Sequence, residues 1–225
     1  MPELYRRLMM DTRSLAPEIM DEPGATPLVT PAVTRAFHRD LHRIHRFMGN
    51  WRTLAERLHG ANSVIDIGCG DGALLVYLRD RAGIAAVTGI DLKPPDCAIT
   101  GIELIQADAI SDPLPRADAA VAVVLLHHLT DAQVVALIRN VGRSCDRLIC
   151  IDPVRHWLPM ALYTVFLCPM LSRVGALDGR QSIRRSFRRD ELAALVEQAI
   201  AGTDATFEIW QSPVYARLIL DVTWR

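Results

Sequence analysis

Lysine is almost absent from this chain of 225 residues: Lys93 is the only one, and arginine carries the rest of the 25 positive side chains. Twenty-six carboxylates balance them to a formal net charge of -1, which gives no general attraction to nucleic acid. Cysteine is sparse and shows no pattern. The five cysteines (Cys69, Cys97, Cys145, Cys150, Cys168) have no C-x-x-C spacing and no grouping with histidine. That excludes a disulfide framework and a zinc module, so no metal is expected and the thiols are expected to be reduced. No apolar run reaches the roughly 20 residues of a membrane span. The nearest, Trp157 to Leu171, is interrupted by Pro159 and Pro169. The N-terminus lacks an apolar core followed by a small-residue cleavage site, so a cytoplasmic protein is expected. Repeats and low-complexity tracts are also missing. What remains, 50% hydrophobic and 23% charged, is enough for one globular domain with a full core.

The stretch Val64-Ile-Asp-Ile-Gly-Cys-Gly-Asp-Gly72 is the centre of the pattern. Val64 to Ile67 reads as a strand buried on both faces, followed by a glycine turn and a helix from Ala73. Such a turn brings backbone N–H groups and the positive end of a helix close to a ligand. Val87-Thr-Gly-Ile-Asp91 reads as a second strand ending in an acid, where nucleotide-binding α/β folds grip a ribose. The loop is not the G-x-G-x-x-G of dinucleotide sites, and Asp71 within it would repel a pyrophosphate. A sulfonium cofactor has no phosphate to repel.

Strands and helices alternate onward from Val64, which predicts a parallel sheet with helices on both faces. Further strands are expected over Ile102–Asp108, Ala117–Leu126 and Arg147–Asp152, then Thr206–Trp210 and Tyr215–Thr223 as a closing hairpin. Helices are expected over Glu3–Met10, Thr34–Leu58, Thr130–Arg139 with Thr130 as N-cap, and Asp190–Ile200. The prolines at 17, 23, 27 and 31 rule out a single helix between them. The arginines and histidines between Arg35 and Arg46 read as a solvated helix face.

The glycine loop, with Asp91 and the downstream elements, resembles the first motif and core of the class I S-adenosylmethionine-dependent methyltransferases, in particular the bacterial branch acting on quinones and natural products. That resemblance implies a doubly wound, mostly parallel seven-stranded α/β sheet whose last strand is antiparallel. It divides the chain into an N-terminal helical cap over residues 1–60, to which Pro17-Glu-Ile-Met-Asp21 is assigned, and a cofactor-binding catalytic domain over 61–225 with an insert at about 156–189. It implies S-adenosylmethionine as cofactor and a small lipophilic acceptor, aromatic ones included, methylated on oxygen. Methylation of carbon or nitrogen, a nicotinamide-dependent oxidoreductase and a silent cofactor-binding partner protein are the alternatives.

By the same resemblance Asp66, Gly68, Cys69 and Gly70 meet the amino acid part of the cofactor. Asp91 with Leu92 holds the ribose, Asp108 with Ala109 meets the adenine, and Leu125 lines the site. Ligands of open parallel sheets sit outside the carboxyl ends of the strands, where the strand order reverses. His127 and Asp152 end the expected fourth and fifth strands, side by side. They are read as a proton-abstracting pair in which the carboxylate orients the imidazole. The competing reading has Asp152 capping the turn at Pro153. Trp157 to Leu171 reads as core, as a lid over a greasy acceptor, or as a weak membrane-surface helix with Arg180, Arg184, Arg185, Arg188 and Arg189 facing lipid. Oligomeric state is not legible in the sequence.

Overall fold

The computed structural model describes residues 10–21, 29–95 and 98–224. The helix expected over Glu3–Met10 lies outside them except for Met10, which is in a turn. Seven strands form one sheet: β1 (Ser63–Ile67), β2 (Ala86–Asp91), β3 (Glu103–Gln106), β4 (Ala119–Val123), β5 (Arg147–Pro153), β6 (Thr206–Gln211) and β7 (Arg217–Thr223), in the order β3-β2-β1-β4-β5-β7-β6. The first five are parallel; β7 runs antiparallel to both β5 and β6. Strand order reverses between β1 and β4, which opens a crevice at their carboxyl ends.

Apolar layers cover both faces. Leu126, Val134, Ile138, Leu148 and Leu220 belong to one, and Leu54, Leu75, Leu78, Ile149 and Ile219 to the other. The helical run expected over Thr34–Leu58 is two helices, α1 (Pro31–Met48) and α2 (Asn50–Arg57). Thr30 caps α1 by accepting from Val33 N, and Gly49 divides the two at φ 66°, a left-handed turn suited to glycine. Helix α3 (Ala73–Ala82) follows the glycine loop. Thr130 and Gln133 form a capping box for α4 (Asp131–Val141).

Two strand ends fall short of expectation. β3 stops at Gln106, two residues before Asp108, and β4 stops at Val123 rather than Leu126. Val124 takes φ 51°, which a β-branched residue adopts only when its surroundings impose it. Its N–H is held by Ile151 O at 2.7 Å, and the chain then turns into a single 3-10 turn, Leu126–His128.

After β5 come α5 (Trp157–Leu162), a π turn at Tyr163–Leu167, a 3-10 turn at Cys168–Met170, and α6 (Arg173–Arg185). Helix α7 (Arg189–Ile200) leads back to the sheet. Pro159 and Tyr163 are buried, but Trp157, Val165, Phe166 and Met170 are exposed, so this segment is not wholly core. No helix among the described residues is long and apolar enough to cross a membrane.

Candidate active site

Gly68, Gly70 and Gly72 all have positive φ (73°, 55° and 75°), so the β1–α3 turn is left-handed at alternate residues. Asp91 braces it: Oδ2 accepts from Gly70 N at 3.0 Å and Oδ1 from Lys93 N at 2.8 Å. Asp66 is buried beneath the turn. Burial, then the neighbouring carboxylates of Asp91 and Asp71, push its carboxyl up to about 7. Burial likewise pushes the Cys69 thiol up to about 12, and its Sγ packs 2.7 Å from where a Cβ on Gly89 would stand. That thiol is packing, not a nucleophile. Leu125 reaches in from the end of β4, its Cδ1 3.0 Å from where a Cβ on Gly68 would be.

One turn along, Asp108 Oδ1 accepts from Ile110 N at 3.0 Å, while the buried Ala109 gives its carbonyl to Asn140 Nδ2 at 2.9 Å. Ala107 N, bonded to Asp91 O at 3.1 Å, ties this turn to the end of β2. Leu92 is 63% exposed. From the cap side, His42 Nε2 lies 3.0 Å and His38 Nδ1 3.6 Å from Asp71 Oδ2, which seats α1 over the glycine loop. The loop is rich in acid, open at Gly70, and floored by a buried carboxylate. That donor set fits a cationic amino-acid cofactor and disfavours a pyrophosphate.

The other end of the crevice holds His127 and Asp152. The 3-10 turn places His127 Nδ1 in hydrogen-bond contact with Asp152 Oδ1, and Asp152 Oδ2 accepts from Leu126 N at 2.8 Å. The residues at the ends of β4 and β5 therefore meet. His127 is 1% exposed, and Nε2 faces Glu18 Oε1 at 3.3 Å without hydrogen-bond alignment. Burial works against its charge, but the carboxylates of Asp152 and Glu18 more than offset that and hold it at about 9. Beside it His128 Nδ1 contacts Asp21 Oδ1 at 2.8 Å.

Two guanidinium groups clamp this turn by its carbonyls. Arg185 donates to His127 O at 3.1 Å and His128 O at 3.0 Å, and Arg13 donates to His127 O at 3.0 Å. Arg185 also pairs with Asp21. It is buried, so the expectation that it faces lipid is corrected. Three others of that run are also engaged: Arg180 with Ala176 O, Arg188 with Asp11 and Arg189 with Ile209 O. Arg13, Glu18, Asp21 and Arg185 are the residues that reading by motif missed, because they lie between 57 and 114 positions from the histidines they meet. The one available signal was a pair of acids, Glu18 and Asp21, among the N-terminal prolines. A groove of about 690 Å³ between α7 and β6 shares no residue with this site.

Residues 64–147 match a family described as "Methyltransferase domain". Uncharacterized methyltransferases of Mycobacterium bovis and Mycobacterium tuberculosis are 36% identical over 83 residues, 33% of this chain. The match spans only 41% of the length of those curated relatives. Among solved structures, the plantazolicin methyltransferase BpumL, in complex with a monoazolic desmethyl analogue and SAH, superposes with a TM-score of 0.67. That match is 15% identical and covers 87% of this chain and 91% of that one. Human N-acetylserotonin methyltransferase in complex with SAM gives 0.60 at 19% identity, covering 86% and 58%. The stretch from β1 to the start of β5 thus matches a methyltransferase-domain family, the whole sheet shares its fold with these methyltransferases, and SAM or its product SAH is the ligand found in those neighbours.

Proposed function

We propose that this chain transfers the methyl group of S-adenosylmethionine to an oxygen of a small acceptor bound at His127. The observation that carries this reading is the His127–Asp152 contact, buried where β4 and β5 end beside the glycine loop. Asp66, Gly68, Cys69, Gly70, Asp91, Leu92, Asp108, Ala109 and Leu125 would hold the cofactor, whose bound sulfonium supplies an activated methyl group. Displacement at that carbon needs an aligned nucleophile above all, so positioning does much of the work.

Asp152 fixes the imidazole through Nδ1, leaving Nε2 to meet the acceptor oxygen. A neutral ring takes the proton of a hydroxyl there, and a charged ring holds an oxygen that is already an anion. The test is turnover with labelled S-adenosylmethionine against a panel of small acceptors. His127→Ala is expected to lower turnover by ~10²–10⁴-fold with cofactor affinity nearly unchanged, and Asp152→Asn by less. Full turnover in His127→Ala at neutral pH removes His127 from the reaction. Calorimetric binding of NAD in place of S-adenosylmethionine would overturn the whole assignment.

A further inference from the structure

Asp152 already occupies Nδ1 of His127, so an acceptor oxygen that engages this ring must do so at Nε2. That place is taken. Glu18, 5% exposed, puts Oε1 3.3 Å from Nε2, and the same oxygen accepts from Ser182 Oγ at 2.8 Å. The other charges nearby are answered elsewhere: Arg185 by Asp21, Arg13 by Asp131, and the Nδ1 side of His127 by Asp152. Among the carboxylates of the described residues, Glu18 is the one set against the outward nitrogen. An acceptor that displaces this carboxylate must replace its charge beside the ring and its bond from Ser182 Oγ, and it gains by giving Nε2 the aligned partner that Glu18 does not, because a buried donor without a partner is costly.

We propose that the acceptor is a carboxylic acid, bound as its carboxylate with one oxygen on His127 Nε2 and Ser182 Oγ in the place Glu18 now holds, and that the product is its methyl ester. This deepens the proposed function and rests on its placing of the acceptor at His127. The carboxylate oxygen forms a bond to the methyl carbon as the sulfur–methyl bond breaks, and the electron pair of that bond stays on sulfur. One negative and one positive charge are consumed and no proton moves. A ring held charged between two carboxylates then has a use that a free base would not. It orients an anionic oxygen, which is already nucleophilic without a base. Glu18 keeps the buried pocket electrically matched until the acceptor arrives.

The experiment has a binding arm and a product arm, both on the full chain. In Glu18→Ala, benzoate is expected to raise the melting temperature and to bind at least about tenfold more tightly than to the unsubstituted chain, which is about 1.4 kcal/mol. The effect should vanish in Glu18→Ala/His127→Ala. Glu18→Gln, which keeps the shape and loses the charge, serves if the alanine variant fails to fold. In the product arm, unsubstituted protein with S-adenosylmethionine is offered matched aromatic acids, phenols and amines. Base-labile methyl esters, releasing methanol in mild alkali, are the expected product. Methylation confined to phenols or amines overturns the proposal, as does indifference of the Glu18 variants to benzoate. Tight zinc binding abolished by His127→Ala also overturns it, since Nε2 would then be a metal ligand. Benzoate binding without transfer to any acceptor class would instead sink the methyl-transfer reading and leave the carboxylate site standing.

Discussion

Asp66 is the residue on which the glycine loop rests, and its charge is linked to folding. Its carboxyl ionises near 3.9 in an unfolded chain but at about 7 when buried here beside Asp91 and Asp71. Between those values the folded form holds a proton that the unfolded form has lost, so stability falls as pH rises through the window. The amide side chain of an Asp66→Asn variant is neutral in both states. Without cofactor, the unsubstituted protein is expected to lose up to about 4 kcal/mol relative to Asp66→Asn between pH 4 and 8, measured by urea unfolding. Parallel pH profiles for the two would show that Asp66 does not titrate in this way. Asp91 has two tasks, since its carboxylate already accepts from Gly70 N and Lys93 N. If it also accepts from ribose hydroxyls, Asp91→Ala should weaken S-adenosylmethionine by about 1.5–3 kcal/mol in calorimetry. An unchanged dissociation constant would reduce Asp91 to a turn residue.

At the scale of elements, packing in the insert turns on one close approach. A Cβ on Gly179 would overlap the Tyr163 hydroxyl oxygen, which donates to Gly175 O at 2.8 Å and ties the π turn to α6. Gly179→Ala is therefore expected to cost about 1–3 kcal/mol by overpacking. It should also speed hydrogen exchange across 157–171; unchanged exchange would mean the turn is held by other contacts. Nothing in the sequence announced this, because Gly179 lies in a helix and its neighbour comes from another element. The parallel strands were legible because β1, β4 and β5 are continuous apolar runs, and the glycine loop because its spacing is local. The division of α1 from α2 was missed because apolar periodicity continues through Gly49, where only the left-handed backbone breaks it. The early end of β4 has the same kind of cause: Val124 is a good strand residue forced to a positive φ by its place between Ile151 and the His127 turn. In the site, glycines and strand-end acids could be read from local order, and so could the meeting of His127 with Asp152. The opposing wall could not, since Glu18, Arg13 and Arg185 meet the histidines only after the chain has folded back.

On the scale of the whole molecule, residues 10–21 are built into the fold and do not behave as an appended tail. Met10 O accepts from Arg155 Nε at 2.9 Å, and Arg155 is 1% exposed, with Asp11 O, Ser186 O and Glu191 as its other partners. The Arg13 guanidinium lies 3.8 Å from the Phe187 ring centroid and bonds the carbonyls of the histidine turn. Ile19 N and Met20 N donate to the two oxygens of Asp178, at 2.8 and 3.1 Å. Deleting residues 1–21 would leave Arg155 short of a partner, Arg185 without Asp21 and His127 without Glu18, and all three that remain are buried. Breaking a buried charge pair by removing one partner typically costs about 3–5 kcal/mol, against a total stability of about 5–15. The shortened chain is thus expected to unfold at a much lower urea concentration and to lose methyl transfer, even though every residue of the glycine loop is retained. A truncated protein with an unchanged urea midpoint would show that this segment only lies against the fold. Loss of transfer at full stability would place its role at the acceptor alone.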